Sequence, residues 1–264
     1  MALVMGVLNV TPDSFYDGGR WHGLEQAVAH GAEMFANGAH VVDVGGESTR
    51  PHAQPVSEAE ELRRVVPVVR ELAALAPSGA RISVDTRKAA VAEAALGAGA
   101  TIVNDVSASL WPVAAAWGAG WVAMHMRGEP ADMMSKASYG DVVGEVSAYL
   151  VSRAEQAQKA GVREIWVDPG IGFAKKTEHN LAILGRLREL VGTGWPVAVG
   201  LSRKRFTGAV VGAEESPAPL EDRLEPSLAG AVWALLCGAA MVRAHDVAAT
   251  AMALELVGQG GGRQ

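Results

Sequence analysis

Short apolar runs alternate along the chain with longer stretches rich in Ala, Leu, Glu and Arg. That alternation predicts repeated βα units on a parallel sheet. Eight runs read as strands: 3–8, 40–44, 81–84, 101–103, 121–124, 165–167, 197–199 and 241–243. Each is apolar on both faces, as a strand must be when helices cover one side and a barrel interior the other. Eight such strands without an antiparallel insertion predict an α/β chain folded as a single (β/α)8 TIM barrel, rather than an open doubly wound sheet.

The intervening segments 24–37, 57–75, 87–96, 111–117, 141–160, 178–191, 225–237 and 247–256 read as helices. Ser57, followed three residues later by Glu60, has the spacing of a capping box, and Gly38 suits the residue after a helix end. Residues 126–140, rich in Met, Gly, Pro and Ser, read as a long loop. The pattern assigns residues 1–257 to the barrel and the glycine-rich 258–264 to a flexible tail.

Composition narrows the function classes. A length of 264 residues, 49% of them apolar, fits one barrel of about 250 residues with a sizeable core. The net charge of −6 argues against nucleic-acid or membrane-surface partners, so any bound anion needs a local cluster of basic groups. The N-terminus has no secretory pattern, and no uninterrupted apolar run reaches the roughly 20 residues of a membrane span. The single cysteine, Cys237, lies in an apolar run and reads as a buried structural thiol in a reducing compartment; a cytoplasmic protein is expected.

Chemistry concentrates where the strands end. Asn9 closes the first strand, Asp43 leads into Gly45-Gly46-Glu47-Ser48-Thr49-Arg50, and the third ends at Asp85. Asn104-Asp105, His125 and Asp168 end the next three; Ser202-Arg203-Lys204 and Arg243-Ala244-His245-Asp246 follow the last two. The opposite ends carry mainly Gly, Ala and apolar residues, which places an active site at the C-terminal face of the strands. Each acid also has a bland reading, since Asp or Asn after a strand often caps the next helix. Asp246 fits a cap, and Asp105 a chain turn.

Arg50, Lys204, Arg243 and His245 form a candidate phosphate-binding cluster, with Asn9 as an oxygen ligand for a Mg²⁺ that keeps most of its waters. Asp85, Asn104 and Asp168 are acceptors suited to an amino-bearing heterocycle. Together these sets point to a phosphorylated small molecule. A solvated loop lysine and a Schiff-base lysine stand as further readings of Lys204. No Walker-A loop, dinucleotide fingerprint or zinc spacing occurs, and Gly170-Ile171-Gly172 reads as a tight turn. Met5 reads as core filler.

The same segments resemble the dihydropteroate synthases of folate biosynthesis. The likeness rests on residues 5–19 (MGVLNVTPDSFYDGG), 43–51 (DVGGESTRP), 83–86 (SVDT), 104–106 (NDV), 124–126 (MHM), 168–173 (DPGIGF), 202–204 (SRK) and 243–247 (RAHDV). It spans nearly the whole chain. Small departures stand at Tyr16, His52, Ala174-Lys175-Lys176 and Arg205.

The resemblance implies condensation of 6-hydroxymethyl-7,8-dihydropterin pyrophosphate with p-aminobenzoate, giving 7,8-dihydropteroate and pyrophosphate. It implies that Asp85, Asn104, Val106, Met124, Asp168, Phe173, Gly200 and Lys204 hold the pterin. Asn9, Thr49, Arg50, Arg243 and His245 would hold the pyrophosphate, with Mg²⁺ at Asn9. Phe15, Thr49, Pro51 and Lys204 would shape the p-aminobenzoate site, the target of sulfonamides in this family. Lys204, Arg243, His245 and Arg50 are the implied catalytic residues, and a homodimer the implied assembly. Competing readings are a non-catalytic pterin-binding paralogue, a pterin-dependent methyltransferase domain needing a corrinoid partner, and an aldolase using Lys204.

Overall fold

The computed structural model describes residues 2–11, 20–48, 54–129 and 132–260, with backbone alone at 20–22 and 259–260. Eight parallel strands form where apolar runs were read: β1 Leu3–Asn9, β2 Val41–Gly45, β3 Arg81–Asp85, β4 Ile102–Asp105, β5 Gly120–Met124, β6 Ile165–Asp168, β7 Ala198–Gly200 and β8 Met241–Ala244. Their order is β6-β5-β4-β3-β2-β1-β8-β7. A parallel bridge from Val167 to Val197 joins the two outer strands, and Val167 N–H donates to Pro196 O at 2.9 Å. The sheet therefore closes into the expected barrel.

Helices wrap the sheet: α1 Arg20–Ala36, α2 Glu58–Leu75, α3 Ala89–Ala98, α4 Trp111–Trp117, α5 Val142–Lys159, α6 Thr177–Gly185, α7 Leu187–Val191, α8 Arg205–Val211, α9 Leu224–Leu236 and α10 Val247–Gly260. Ser57 caps α2 by accepting from Glu60 N–H at 3.3 Å. Glu60 turns its carboxylate to Arg64 at 2.8 Å and to Arg63 instead of back to Ser57, so only half of the capping box is used. Asp141 caps α5, accepting from Val143 N–H at 3.2 Å.

Three segments differ from the sequence reading. The helix read at 178–191 breaks at Arg186, whose φ of −112° and ψ of 20° leave the helical region while its guanidinium reaches Asp141 and Glu189. The short helix α8 is not legible, since its seven residues include two valines, a threonine and a glycine. Packing accounts for it: a Cβ at Gly208 would stand 2.6 Å from Arg223 Nε and 2.8 Å from Ala218 O. The helix read at 247–256 is longer, and α10 runs through Gly260. A glycine costs about 1 kcal/mol in a helix, which weakens but need not stop one already docked. Residues 261–264 lie outside the described residues.

The core has two parts. The larger fills the space between sheet and helices and takes in Cys237. The smaller lies inside the barrel and consists of Met5, Val41, Ile102, Val122, Trp166, Ala198 and Met241. Among the described residues, no helix is long and apolar enough to cross a membrane.

Candidate active site

Strand alternation builds the site directly on that inner core. Side chains on one face recur every second residue. Two residues beyond Val41, Ile102, Val122, Trp166, Ala198 and Met241 stand Asp43, Asn104, Met124, Asp168, Gly200 and Arg243. Register adds Ser83 opposite Asp43, and Asp85 opposite both Gly45 and Asn104. The apolar plug thus carries a polar layer at the C-terminal mouth. The reverse holds for His125 and Asp105, which follow inward residues and face out to the helices. Asp105 accepts from the N–H groups of Ser109 and Leu110 at 2.7 and 2.6 Å, the chain-turning role read from sequence.

Arg243 organises the polar layer. Its Nε donates to Asp43 Oδ2 and its Nη2 to Asp85 Oδ2, each at 2.7 Å. Asn104 Nδ2 donates to the same Asp43 oxygen at 2.8 Å. The candidate cation cluster is therefore not a set of free positive groups. A guanidinium this deep needs carboxylate partners to offset its lost hydration. Asp43 stands in neither candidate set from the sequence; its inward parity with Val41 is the signal that marks it. Asp43 Oδ1 and Ser83 Oγ are buried with no hydrogen-bond partner among the described residues.

One guanidinium between two carboxylates leaves an excess negative charge. Burial raises the Asp85 carboxyl to about 7; Arg243 opposes the rise, while Asp43, Glu61 and Asp105 add to it. Burial likewise raises Asp168, against the pull of Lys204, the Gly170 N–H, Arg243 and Lys175.

A second group forms around β6. Asp168 Oδ1 accepts from Gly170 N–H at 2.7 Å. Lys204 Nζ lies 4.5 Å from the centre of the Phe173 ring and donates to Ile171 O. Burial lowers the Lys204 ammonium to about 8, with Asp168 resisting and Arg243 assisting. Gly200 keeps the floor open between the groups: a Cβ there would lie 3.7 Å from Arg243 Cβ and 3.9 Å from Asp168 Oδ2. Met124 and Val106 are buried beside the mouth.

On the opposite rim, a Cβ at Gly45 would meet Asp85 Oδ2 at 3.7 Å and Asn9 Oδ1 at 3.8 Å, so the two oxygens face each other across that glycine. His245 Nδ1 lies 3.2 Å from Ser202 Oγ, and Asp246, at the head of α10, bonds Arg203 Nε at 2.8 Å. Phe15, Thr49, Arg50 and Pro51, expected at this site, lie outside the described residues.

The polar mouth thus combines buried carboxylates, an amide, a forked cation and a lysine over an aromatic ring. Residues 5–245 match the family described as "Pterin binding enzyme". Dihydropteroate synthase of Mycobacterium leprae is 48% identical, over 97% of this chain and 92% of its own length. The chain belongs to the dihydropteroate synthase family. A Xanthomonas albilineans dihydropteroate synthase with 4-aminobenzoic acid superposes at a TM-score of 0.91 and 42% identity, covering 100% of this chain and 94% of the other. The same organism's dihydropteroate synthase in complex with 7,8-dihydropteroate gives 0.87 and 39%, covering 100% and 95%. These likenesses span the whole dihydropteroate synthase barrel, the polar mouth included.

Proposed function

We propose that the chain condenses 6-hydroxymethyl-7,8-dihydropterin pyrophosphate with p-aminobenzoate, forming 7,8-dihydropteroate and pyrophosphate. The observation that carries this reading is the pairing, at one mouth, of heterocycle acceptors with a forked cation. Asp85, Asn104 and Asp168 offer acceptors to the amino and ring N–H groups of a pterin, while Phe173, Met124, Val106 and Gly200 give it flat apolar walls. Lys204 reaches the same pocket and the adjoining p-aminobenzoate site, which Phe15, Thr49 and Pro51 would complete.

As the methylene–oxygen bond breaks, negative charge grows on the pyrophosphate and positive charge on the pterin methylene. Arg243, His245, Arg50, Thr49 and Asn9 would hold the departing anion, and fixed donors of this kind stabilise developing charge most effectively in a dry site. The aromatic amine then attacks the methylene carbon and loses a proton. It needs orientation more than activation.

Mg²⁺ suits this donor set. No group of three His, Cys, Asp or Glu side chains gathers among the described residues. A hard cation held by Asn9 Oδ1, waters and substrate phosphate oxygens needs no such cage. When bound it would neutralise charge on the leaving group.

The proposed location is the cytoplasm, a reading that one buried free thiol supports. The enzyme is read as a homodimer through α9 and α10, which pack together and expose Leu236, Met252 and Leu256, the last two at 71% and 77%. Pyrophosphate release measured with and without p-aminobenzoate tests the reaction. Release that requires p-aminobenzoate and yields dihydropteroate supports it; pterin binding without turnover would leave only a binding protein.

A further inference from the structure

Lys175 is a buried lysine to which the reaction gives no task; burial lowers its ammonium to about 7, with Asp168 resisting and Lys204 and Arg127 assisting. It is 3% exposed and makes no ion pair among the described residues. Its Nζ instead meets four neutral acceptors: His125 Nδ1 at 2.9 Å, Phe173 O at 3.0 Å, Gly170 O at 3.1 Å and His125 O at 3.4 Å. Lys88 shows the usual arrangement, reaching two glutamates. A buried charge without a paired countercharge is costly, so stability alone favours an apolar side chain at position 175.

What Lys175 holds is the loop that walls the pocket. Gly170, Gly172 and Ala174 all take positive φ, at 64°, 82° and 49°. These turns send successive carbonyls to opposite sides. Ile171 O faces Lys204 in the pocket, whereas Gly170 O and Phe173 O face Lys175 behind it. Tyr139 Oη steadies the strained Ala174 by donating to its carbonyl at 3.0 Å. The loop is gripped between two lysines. Once Lys204 turns to a substrate, Lys175 is the ammonium that still grips it.

We propose that Lys175 is a positioning residue for the substrate's heterocycle: from behind the loop it fixes Phe173 beneath Lys204 and lends its charge to Asp168. This rests on the pterin reading of the pocket. The charged groups acting on Asp168 are Lys204, Arg243 and Lys175, together with the Gly170 N–H. Those acting on Lys175 are Asp168, Lys204 and Arg127, with His125 in contact and the Tyr139 ring 6.0 Å away. His125 itself is neutral, pushed down to about 3 by burial and by Lys175 and Arg127.

The test uses Lys175→Met, which removes clamp and charge, and Lys175→Gln, which keeps a donor without charge. Melting temperature, binding of dihydropterin pyrophosphate against pH, and KM for each substrate are read for both and for the parent chain. The Met variant is expected to fold and to lose pterin affinity on the order of 10²-fold, with KM for p-aminobenzoate nearly unchanged. In both variants the acidic limb of pterin binding should move to higher pH, since Asp168 loses a nearby cation. Unchanged pterin affinity and limb would overturn the proposal. So would a uniform rise in both KM values that tracks melting temperature, or failure of both variants to fold, since each would assign Lys175 to the fold alone. A parent chain that binds no dihydropterin pyrophosphate would instead refute the reading of the pocket.

Discussion

Arg243 and Asp85 meet at 2.7 Å although their strands, β8 and β3, are separated in the sheet by β1 and β2. The guanidinium therefore crosses the barrel mouth, with Asp43 bonded to its Nε on the way. This pairing sets the fork in place before any anion arrives and ties the proposed leaving-group site to the heterocycle site. A change at one should register at the other.

Replacing Arg243 separates these roles. Arg243→Lys keeps a positive charge but replaces the planar fork, whose Nε and Nη2 hold Asp43 and Asp85, by a single ammonium nitrogen. Its kcat/KM for pyrophosphate release is expected to fall on the order of 10²–10³. Arg243→Ala should in addition lower stability by about 3 kcal/mol, because the buried Asp43 and the partly buried Asp85 lose their cation. Urea unfolding of both variants beside steady-state kinetics checks the pair; a Lys variant with parental kcat/KM refutes the assigned role.

Asp85 gives a stability prediction with a definite sign. Its carboxyl titrates near 3.8 in an unfolded chain and about 7 in the fold, raised chiefly by burial. Below about pH 4 both states hold the proton. Between the two values only the folded state holds it, so stability falls as pH rises, and the loss is complete above about 7. Asp85→Asn should remove that downward contribution. Urea midpoints from about pH 4 to about pH 8 should then fall less steeply in the variant than in the parent; identical slopes exclude the shift.

Much of this was legible in the sequence, for identifiable reasons. The apolar runs located every strand because a barrel buries both strand faces. Several strands nevertheless end one residue later than read, at Asn9, Asp85 and Asp168, because a polar residue still held in the ladder resembles a loop. Asn104 and Asp168 were readable by position; Asp43 was readable only by parity. His125 looked like site chemistry but follows the inward Met124 and so turns away. The orientation of Arg243 depends on partners 158 and 200 residues distant, and no local pattern encodes it.

Lys204 should set the alkaline limb of activity. Burial lowers its ammonium to about 8, although Asp168 resists. Only the protonated form can both face Phe173 as a cation and donate to substrate, so kcat/KM should fall as pH rises through about 8. Lys204→Arg cannot deprotonate in that range. The variant, slower overall, should lose the step near 8 and keep that of Lys175, whose ammonium burial lowers to about 7. A step near 8 that persists belongs to another group or to the substrate.

Gly170 tests how rigid the pocket wall is. It sits at φ 64°, and a Cβ there would lie 1.9 Å from His125 O, which is backbone and cannot swing aside. Gly79 is the matched control: its φ is 85°, and a Cβ would meet nothing within 4 Å. Gly79→Ala should cost about 1–2 kcal/mol, the left-handed strain alone. Gly170→Ala carries the same strain plus the collision, and should exceed the control by at least about 2 kcal/mol. It should also weaken pterin binding, because the loop that presents Asp168 and Phe173 must move to admit the methyl group. Urea titration of the two variants decides the matter. Equal losses would mean that β5 and the loop after β6 separate freely, in which case the wall is not the fixed surface that the proposed pocket requires.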